Sequence, residues 1–332
     1  MKKLGILLIS SIALTLIVSS CNKEPAGIVN DDVEVQNLVM DENDEYLFDW
    51  GIDDQDEKNM FDGYSSFSPS ISFPKILDPI DNVVRFGRKI NNRFHRQIIM
   101  IRRTPDTALV SVTRELRGNF LIFEKLNLDP ANPDTFALHR KPLRHIVHRK
   151  ALFMRRDSDG SDDFGRNRWR LQAVTLGMGE SNPYATIRIH EIEIIDSQGN
   201  SIVFNDPLNT FLNIPEDIPS FNTGEEIQIK VHLQNQTANP VFDPSGNGAT
   251  ETVLLHYGVN RFHRARKQFT FSGTDPNTGY NVYEGNWIIG SQVHRVRHAI
   301  VDAIDNGTIY DSDEITYPYN STAWGAPYRV IQ

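Results

Sequence analysis

Glu226-Ile227-Gln228-Ile229-Lys230-Val231-His232-Leu233 alternates polar and apolar residues without a break. A period of two is the mark of a strand with one face buried and the other in water. A helix would scatter the same apolar residues around its circumference. Reading outward, Thr252 to Tyr257, Arg266 to Phe271, Tyr280 to Ile289, Val293 to Ile304 and Ala326 to Ile331 have the same strand character. Turn clusters such as Asn277-Thr278-Gly279 and Asp305-Asn306-Gly307 separate them. Residues 219–332 therefore predict a domain of two packed antiparallel sheets.

Toward the N-terminus the pattern continues in period two. Candidate strands are Gln97 to Arg103, Thr107 to Glu115, Asn119 to Lys125, Leu143 to Arg155 and Arg168 to Leu176. Thr104-Pro105-Asp106 and Arg117-Gly118-Asn119 read as turns between them. A hairpin follows, Ala185 to Ile195 and Ser201 to Phe204. Asp78-Pro79-Ile80-Asp81 reads as a helix start, with Asp78 as cap and proline in the first turn. Ile80, Val83, Val84 and Ile90 would then share a face. Pro207 to Pro219, rich in Asn, Pro and Asp, is the expected boundary. The reading is a mainly β chain of two domains, a helix plus antiparallel sheet over 74–206 and a β-sandwich over 219–332.

Two fold resemblances sharpen this. Val253-Leu254-Leu255-His256-Tyr257, Trp287 and Val301-Asp302-Ala303-Ile304-Asp305-Asn306-Gly307 resemble the inner strand, core tryptophan and strand-end turn of immunoglobulin-like or fibronectin type III modules. In the first half, Ala108-Leu109-Val110-Ser111-Val112-Thr113, Gly118, Leu143 to Arg155 and Trp169 to Thr175 resemble, in order, the cone-shaped NTF2-like domain over residues 79–178. That family usually starts with more helix, and the hairpin at 185–204 departs from it. The alternative for the first half is a plain antiparallel sandwich.

The beginning of the chain speaks about location. Lys2 and Lys3 precede an apolar stretch from Leu4 to Val18, which runs into Val18-Ser19-Ser20-Cys21. This order is a secretory signal, too short for a stable membrane span. Its last four residues resemble the lipobox of bacterial lipoproteins. The resemblance implies removal of residues 1–20, a lipid on Cys21 and a protein exported to the cell envelope. Asn22 in place of aspartate favours the outer membrane. Cys21 is the only cysteine, so the fold has no internal disulfide. Residues 21–73 read as an acidic tether and linker, mostly disordered because like charge and low hydrophobicity do not offset ordering entropy. Tyr46-Leu47-Phe48-Asp49-Trp50 is the exception, a patch suited to docking.

Charge is divided sharply along the chain. Residues 22–84 hold 16 Asp and Glu against 3 Lys, whereas 85–170 hold 20 Lys and Arg against 9 Asp and Glu. The anion-binding candidates are Arg93, Arg96, Arg102, Arg103, Arg114, Arg117, Arg144, His148, Lys150, Arg155, Arg168 and Arg170. Alternate members on antiparallel strands share a face, and the guanidinium fork suits phosphate, sulfate and carboxylate. The partners this implies are the membrane through the lipid anchor and an acidic glycan, lipopolysaccharide or an acidic protein. No nucleic-acid motif accompanies the charge, so nucleic acid is not expected. The competing reading is a solvated face, or one already occupied by the chain's own acidic segment.

Other constellations are weaker. Asp157, Asp159 and Asp162 surround Gly160 in a loop able to wrap a cation, but without the bidentate glutamate and flanking helices of an EF-hand. His145 and His148, three apart on a strand, fall on opposite faces. No nucleophile elbow, phosphate loop or zinc motif is present, and no cofactor is expected. Trp324, between Asn320 and Gly325, is the best candidate for an exposed aromatic. The function expected is non-catalytic binding or scaffolding in the envelope. The alternatives are a hydrolase or isomerase with a pocket in the first domain, and a subunit of an envelope assembly.

Overall fold

The computed structural model describes residues 30–40, 46–47, 80, 83–91, 96–126, 136–156, 168–183, 185–260, 263–291, 293 and 296–332. In chain order, α1 (Asp31–Met40) precedes β1 (Val83–Ile90), β2 (Arg96–Arg103), β3 (Thr107–Lys125) and β4 (Phe136–Arg155). Next come β5 (Trp169–Thr175), β6 (Gly177–Ser181), β7 (Ile187–Ile195), β8 (Ser201–Phe204), β9 (Phe211–Asn213) and β10 (Ser220–Asn222). β11 (Glu226–Asn235), β12 (Glu251–Asn260), β13 (His263–Gln268), β14 (Thr270–Thr274) and β15 (Asn281–Ile288) follow. β16 (Val296–Asp305), α2 (Asn306–Tyr310) and β17 (Ser321–Ile331) complete the chain, which is mainly β.

Among the described residues, twelve strands share one sheet, with the main path β1-β3-β4-β6-β17-β16-β12-β13, and five form a second, β14-β15-β11-β7-β8. Pairing crosses the boundary expected at 207–219. β6 pairs with β17, and the β7–β8 hairpin joins β11. Within 207–219 itself, β9 adds to β5. The large sheet curls on itself. β1 and β13 end its path, yet Arg266 Nη1 donates to the Phe86 carbonyl at 2.9 Å.

Alternation gives this curled sheet two unlike faces. Val253, Leu255, Val301, Ala303 and Trp324 point outward and meet Ile227, Val231, Leu233, Tyr283 and Trp287 of the second sheet, all buried. This apolar layer grows from the alternation of residues 226–233. Each fully buried aliphatic side chain contributes roughly 1.5–3 kcal/mol. Trp287 stands edge-on to Tyr328 at 4.8 Å between ring centres. The inner face carries Phe120, Lys141, His145, Val147, Asp302 and His256.

Four expectations are corrected. Residues 83–90 form strand β1, not the continuation of a helix. β-branched Val83-Val84 and Gly87 weaken a helix, and pairing with β3 from Arg85 to Ile90 supplies the alternative. β3 runs straight through the expected turn at 117–119, because Gly118 lies against the neighbouring strand. A Cβ there would stand 1.9 Å from the Lys89 carbonyl oxygen. Residues 31–40, expected within the disordered tether, form α1. Val35 and Val39, four apart, are buried, Asp31, Asp32 and Glu34 sit at the positive end, and Asn30 Oδ1 accepts from the Asp32 amide. Trp324 belongs to β17 and is only 4% exposed. In the patch expected to dock, Leu47 is buried and the Tyr46 carbonyl accepts from Arg149 Nη1 at 2.8 Å.

Candidate anion-binding face

The long β3–β4 hairpin sorts the basic candidates. Residue by residue from Thr107↔Met154 to Lys125↔Phe136 its register is regular, so side chains keep their face throughout. Arg102, Arg117, Arg144, His148, Lys150 and Arg170 lie on the outer face. Arg140, absent from the expected set, joins them and is exposed. Arg103, Arg114 and Arg155 fall on the other side, and Arg168 sits just before β5. Arg96 opens β2. Arg93, the loop Asp157, Asp159 and Asp162, and Cys21 lie outside the described residues.

The chain's own acids neutralise part of this charge, and they choose one side. Asp31 reaches Arg103 Nη1 at 2.5 Å and Arg168 Nη2 at 2.7 Å. Asp32 pairs with Arg103 at 3.0 Å, and Glu34 with Arg168 at 3.2 Å and with the Trp169 amide at 3.1 Å. α1 therefore covers the Arg103–Arg168 end and makes no ion pair with the basic residues of the outer face among the described residues.

On the outer face, Arg117 and Arg144 stand directly opposite one another across β3 and β4. Like charges in that position repel. One carboxylate, Glu115, holds both: its Oε1 accepts from Arg117 Nε at 2.6 Å and Arg144 Nε at 2.8 Å. Burial would raise its carboxyl, but the hydrogen bonds and charge of the two arginines hold it below the usual range. Two guanidiniums on one carboxylate leave a surplus of positive charge. Arg102, Arg140, Lys150 and Arg170 have no ion pair among the described residues; Lys150 Nζ donates instead to Asn209 Oδ1 at 2.9 Å. His148 Nδ1 bonds Thr113 Oγ1 at 3.0 Å, and burial lowers its pKa against the charge of Glu180.

Lys150 leads into a groove of about 620 Å³. Its floor is Met178, Glu180 and Trp324, and its wall is Arg188, His190 and the 205–209 segment. His190 stacks on Tyr280 at 4.0 Å with a 9° interplanar angle. Burial and the charge of Arg188 lower its pKa, while a hydrogen bond to Gln234 opposes them. The groove's own lining is mixed in charge, with Glu180 and Asp206 against Arg188.

The inner face holds a different constellation. Arg88 of β1 is 1% exposed and clasps Asp302 of β16, with Nη1 to Oδ2 at 2.6 Å and Nη2 to Oδ1 at 2.9 Å. Ser321 Oγ donates to Oδ1 at 2.7 Å and His256 Nε2 to Oδ2 at 3.1 Å. Burial alone would raise the Asp302 carboxyl; Arg88 and His256 hold it far below its ordinary range. Arg88 Nε also donates to the Tyr319 hydroxyl at 2.8 Å, which in turn donates to His145 Nδ1 at 3.2 Å. His145 is fully buried, its pKa is driven well down by burial and by Arg88, and its Nε2 has no partner. A Cβ on Gly179 would stand 2.4 Å from that nitrogen. His256 and Asp302 are buried with Ser321, their polar atoms turned to one another. This arrangement ties five strands, β1, β4, β12, β16 and β17, and is enclosed. Asp302 in the apolar run Ala299-Ile300-Val301-Asp302-Ala303-Ile304 was the available signal, since a carboxylate there requires a buried partner.

Compared with known proteins, the chain matches no family model, no curated protein and no solved structure.

Proposed function

We propose that this chain is an envelope lipoprotein, anchored through Cys21, whose outer β3–β4 face binds a polyanionic partner without catalysing a reaction on it. The observation that carries the reading is the Arg117–Arg144 pair. Two arginines face each other across neighbouring strands with one carboxylate between them, on a face where further basic groups stand without ion pairs among the described residues. An incoming phosphate, sulfate or carboxylate relieves that repulsion and accepts charge-assisted hydrogen bonds from planar donors. The lipobox-like end supports the location. Residues 226–331 supply strands to both sheets, and β17 pairs with β6 of the first half, which supports reading the C-terminal part as the support on which the face is carried.

The test is binding of dextran sulfate to the Cys21→Ser chain over a range of ionic strength. The reading expects an affinity that falls steeply and linearly on a logarithmic salt axis, since screening and counterion release act on exposed charges. Absence of binding at low salt, or binding indifferent to salt, contradicts it.

A further inference from the structure

The outer face of β2 to β5 combines charge with exposed aliphatic side chains. The register sets them in rows: Ile98, Thr113 and His148; Met100, Ser111 and Lys150; Arg102, Leu109 and Leu152. Met154 opposite Arg170 continues the pattern. Met100 is 57% exposed and Ile98 41%. The second sheet packs over β16 and β17, away from these rows. Antiparallel sheets commonly turn one face to water, but that face is then polar. Here aliphatic and basic side chains share the face: Ile98 and Met100 lie across Thr113 and Ser111 from His148 and Lys150, and Leu109, Leu152 and Met154 lie beside Arg102 and Arg170.

We propose that this face seats on an anionic bilayer surface, with Ile98 and Met100 entering the interfacial layer while Arg102, Lys150 and Arg170 reach lipid phosphates. The proposal rests on the anion-binding reading above and names its partner. The lack of an aromatic core, with basic side chains next to the exposed aliphatic ones, is what favours a bilayer over a protein. A protein interface gathers an apolar, often aromatic core inside a polar rim, and these rows contain no Trp, Tyr or Phe. A protein closing over them would bury Lys150 among apolar groups. At a bilayer interface the two chemistries are satisfied together, because aliphatic groups sink to the acyl boundary while long basic side chains extend to the phosphates.

A nitroxide at Met100→Cys in the Cys21→Ser chain reports contact at this position however the rest of the molecule is held. Asn277→Cys, in the exposed turn between β14 and β15, is the control. Phosphatidylcholine vesicles with phosphatidylglycerol are expected to shift the label at 100 from nickel-chelate to oxygen accessibility, with no shift at 277. Pure phosphatidylcholine should leave both in water, and high salt should reverse the shift. Arg102→Gln with Lys150→Gln should lower the lipid-contacting fraction by roughly fivefold per charge removed. A label at 100 that stays in water on the anionic vesicles, or enters neutral ones equally, overturns the proposal. If dextran sulfate still binds in that case, the bilayer seat falls and the anion-binding reading stands. If neither binds, both fall. A label that dries only on an acidic protein assigns the face to a macromolecular partner and likewise overturns the proposal.

Discussion

Arg88 and Arg144 belong to the same curled sheet and live in opposite settings. Arg88 faces inward, is 1% exposed and finds four acceptors in Asp302, Tyr319 and Ser321. Arg144 faces outward, is 45% exposed and shares Glu115 with Arg117. A buried arginine has to be neutralised and hydrogen-bonded in full, so its charge is committed to the fold. An outward arginine in water loses little when its pairing is incomplete. The comparison separates charge that holds the sheet closed from charge left available to a partner.

The largest effect should come from breaking the inner clasp. Arg88→Met leaves Asp302 buried without its main partner and should cost about 3–5 kcal/mol in urea unfolding. Adding Asp302→Leu should recover much of that loss, because an apolar pair of similar volume replaces the ionic one. A double variant as unstable as Arg88→Met would show that the clasp does not act as a unit. Leu233→Ala, in the apolar layer between the sheets, should cost about 2–5 kcal/mol. Its loss should keep the same size from pH 5 to 8, since no titrating group is involved.

Lys141 sharpens the contrast, being a basic group buried without a full counter-charge. Its Nζ donates to the carbonyls of Gly307 at 2.7 Å and Tyr317 at 2.5 Å. Burial lowers its pKa to about 7, against the opposing charges of Asp311 and Asp305. Between that value and the ordinary value the unfolded chain binds more protons. Folding stability should therefore rise with pH from 7 toward 9, by roughly 1 kcal/mol per unit. Lys141→Met should flatten that rise; an unchanged slope would contradict the assignment. Asp302 and His145 act in the acid range. Both have folded-state values below their unfolded ones, so their contribution is complete above the unfolded values and is lost as pH falls. The smallest stability effect belongs to the outer face, where Arg144→Gln and Lys150→Gln should each stay within about 0.5 kcal/mol.

Legibility in the sequence followed the same division. Strands with one wet face, such as 226–233 and 143–155, declared themselves by alternation, and the outer arginines by their density, whereas the first seven residues of β4, 136–142, were not read as strand. Residues 83–90 did not, because Val83, Val84 and Ile90 satisfy a helical spacing as readily as a strand, and only pairing with β3 decides between them. Gly118 read as a turn because a glycine required by a close strand looks the same in sequence as one required by a bend. α1 was hidden by its charge. Its acids are matched by Arg103 and Arg168, more than 60 residues away, which no local pattern shows. The order of strands across residues 207–219 is likewise a long-range property. Asp302 was legible in principle, as a lone carboxylate in an apolar run; its partner Arg88 was not.

The most direct test compares dextran sulfate binding by two variants of matched stability across a salt titration. One is the outer-face variant Arg102→Gln/Arg144→Gln/Lys150→Gln; the other is Arg103→Gln/Arg168→Gln, at the end covered by α1. The account predicts that the first binds more weakly and loses roughly one unit of salt slope per contact removed, while the second keeps the parent's affinity and slope. Equal losses in the two variants, or a loss confined to the second, would contradict the division between committed and available charge.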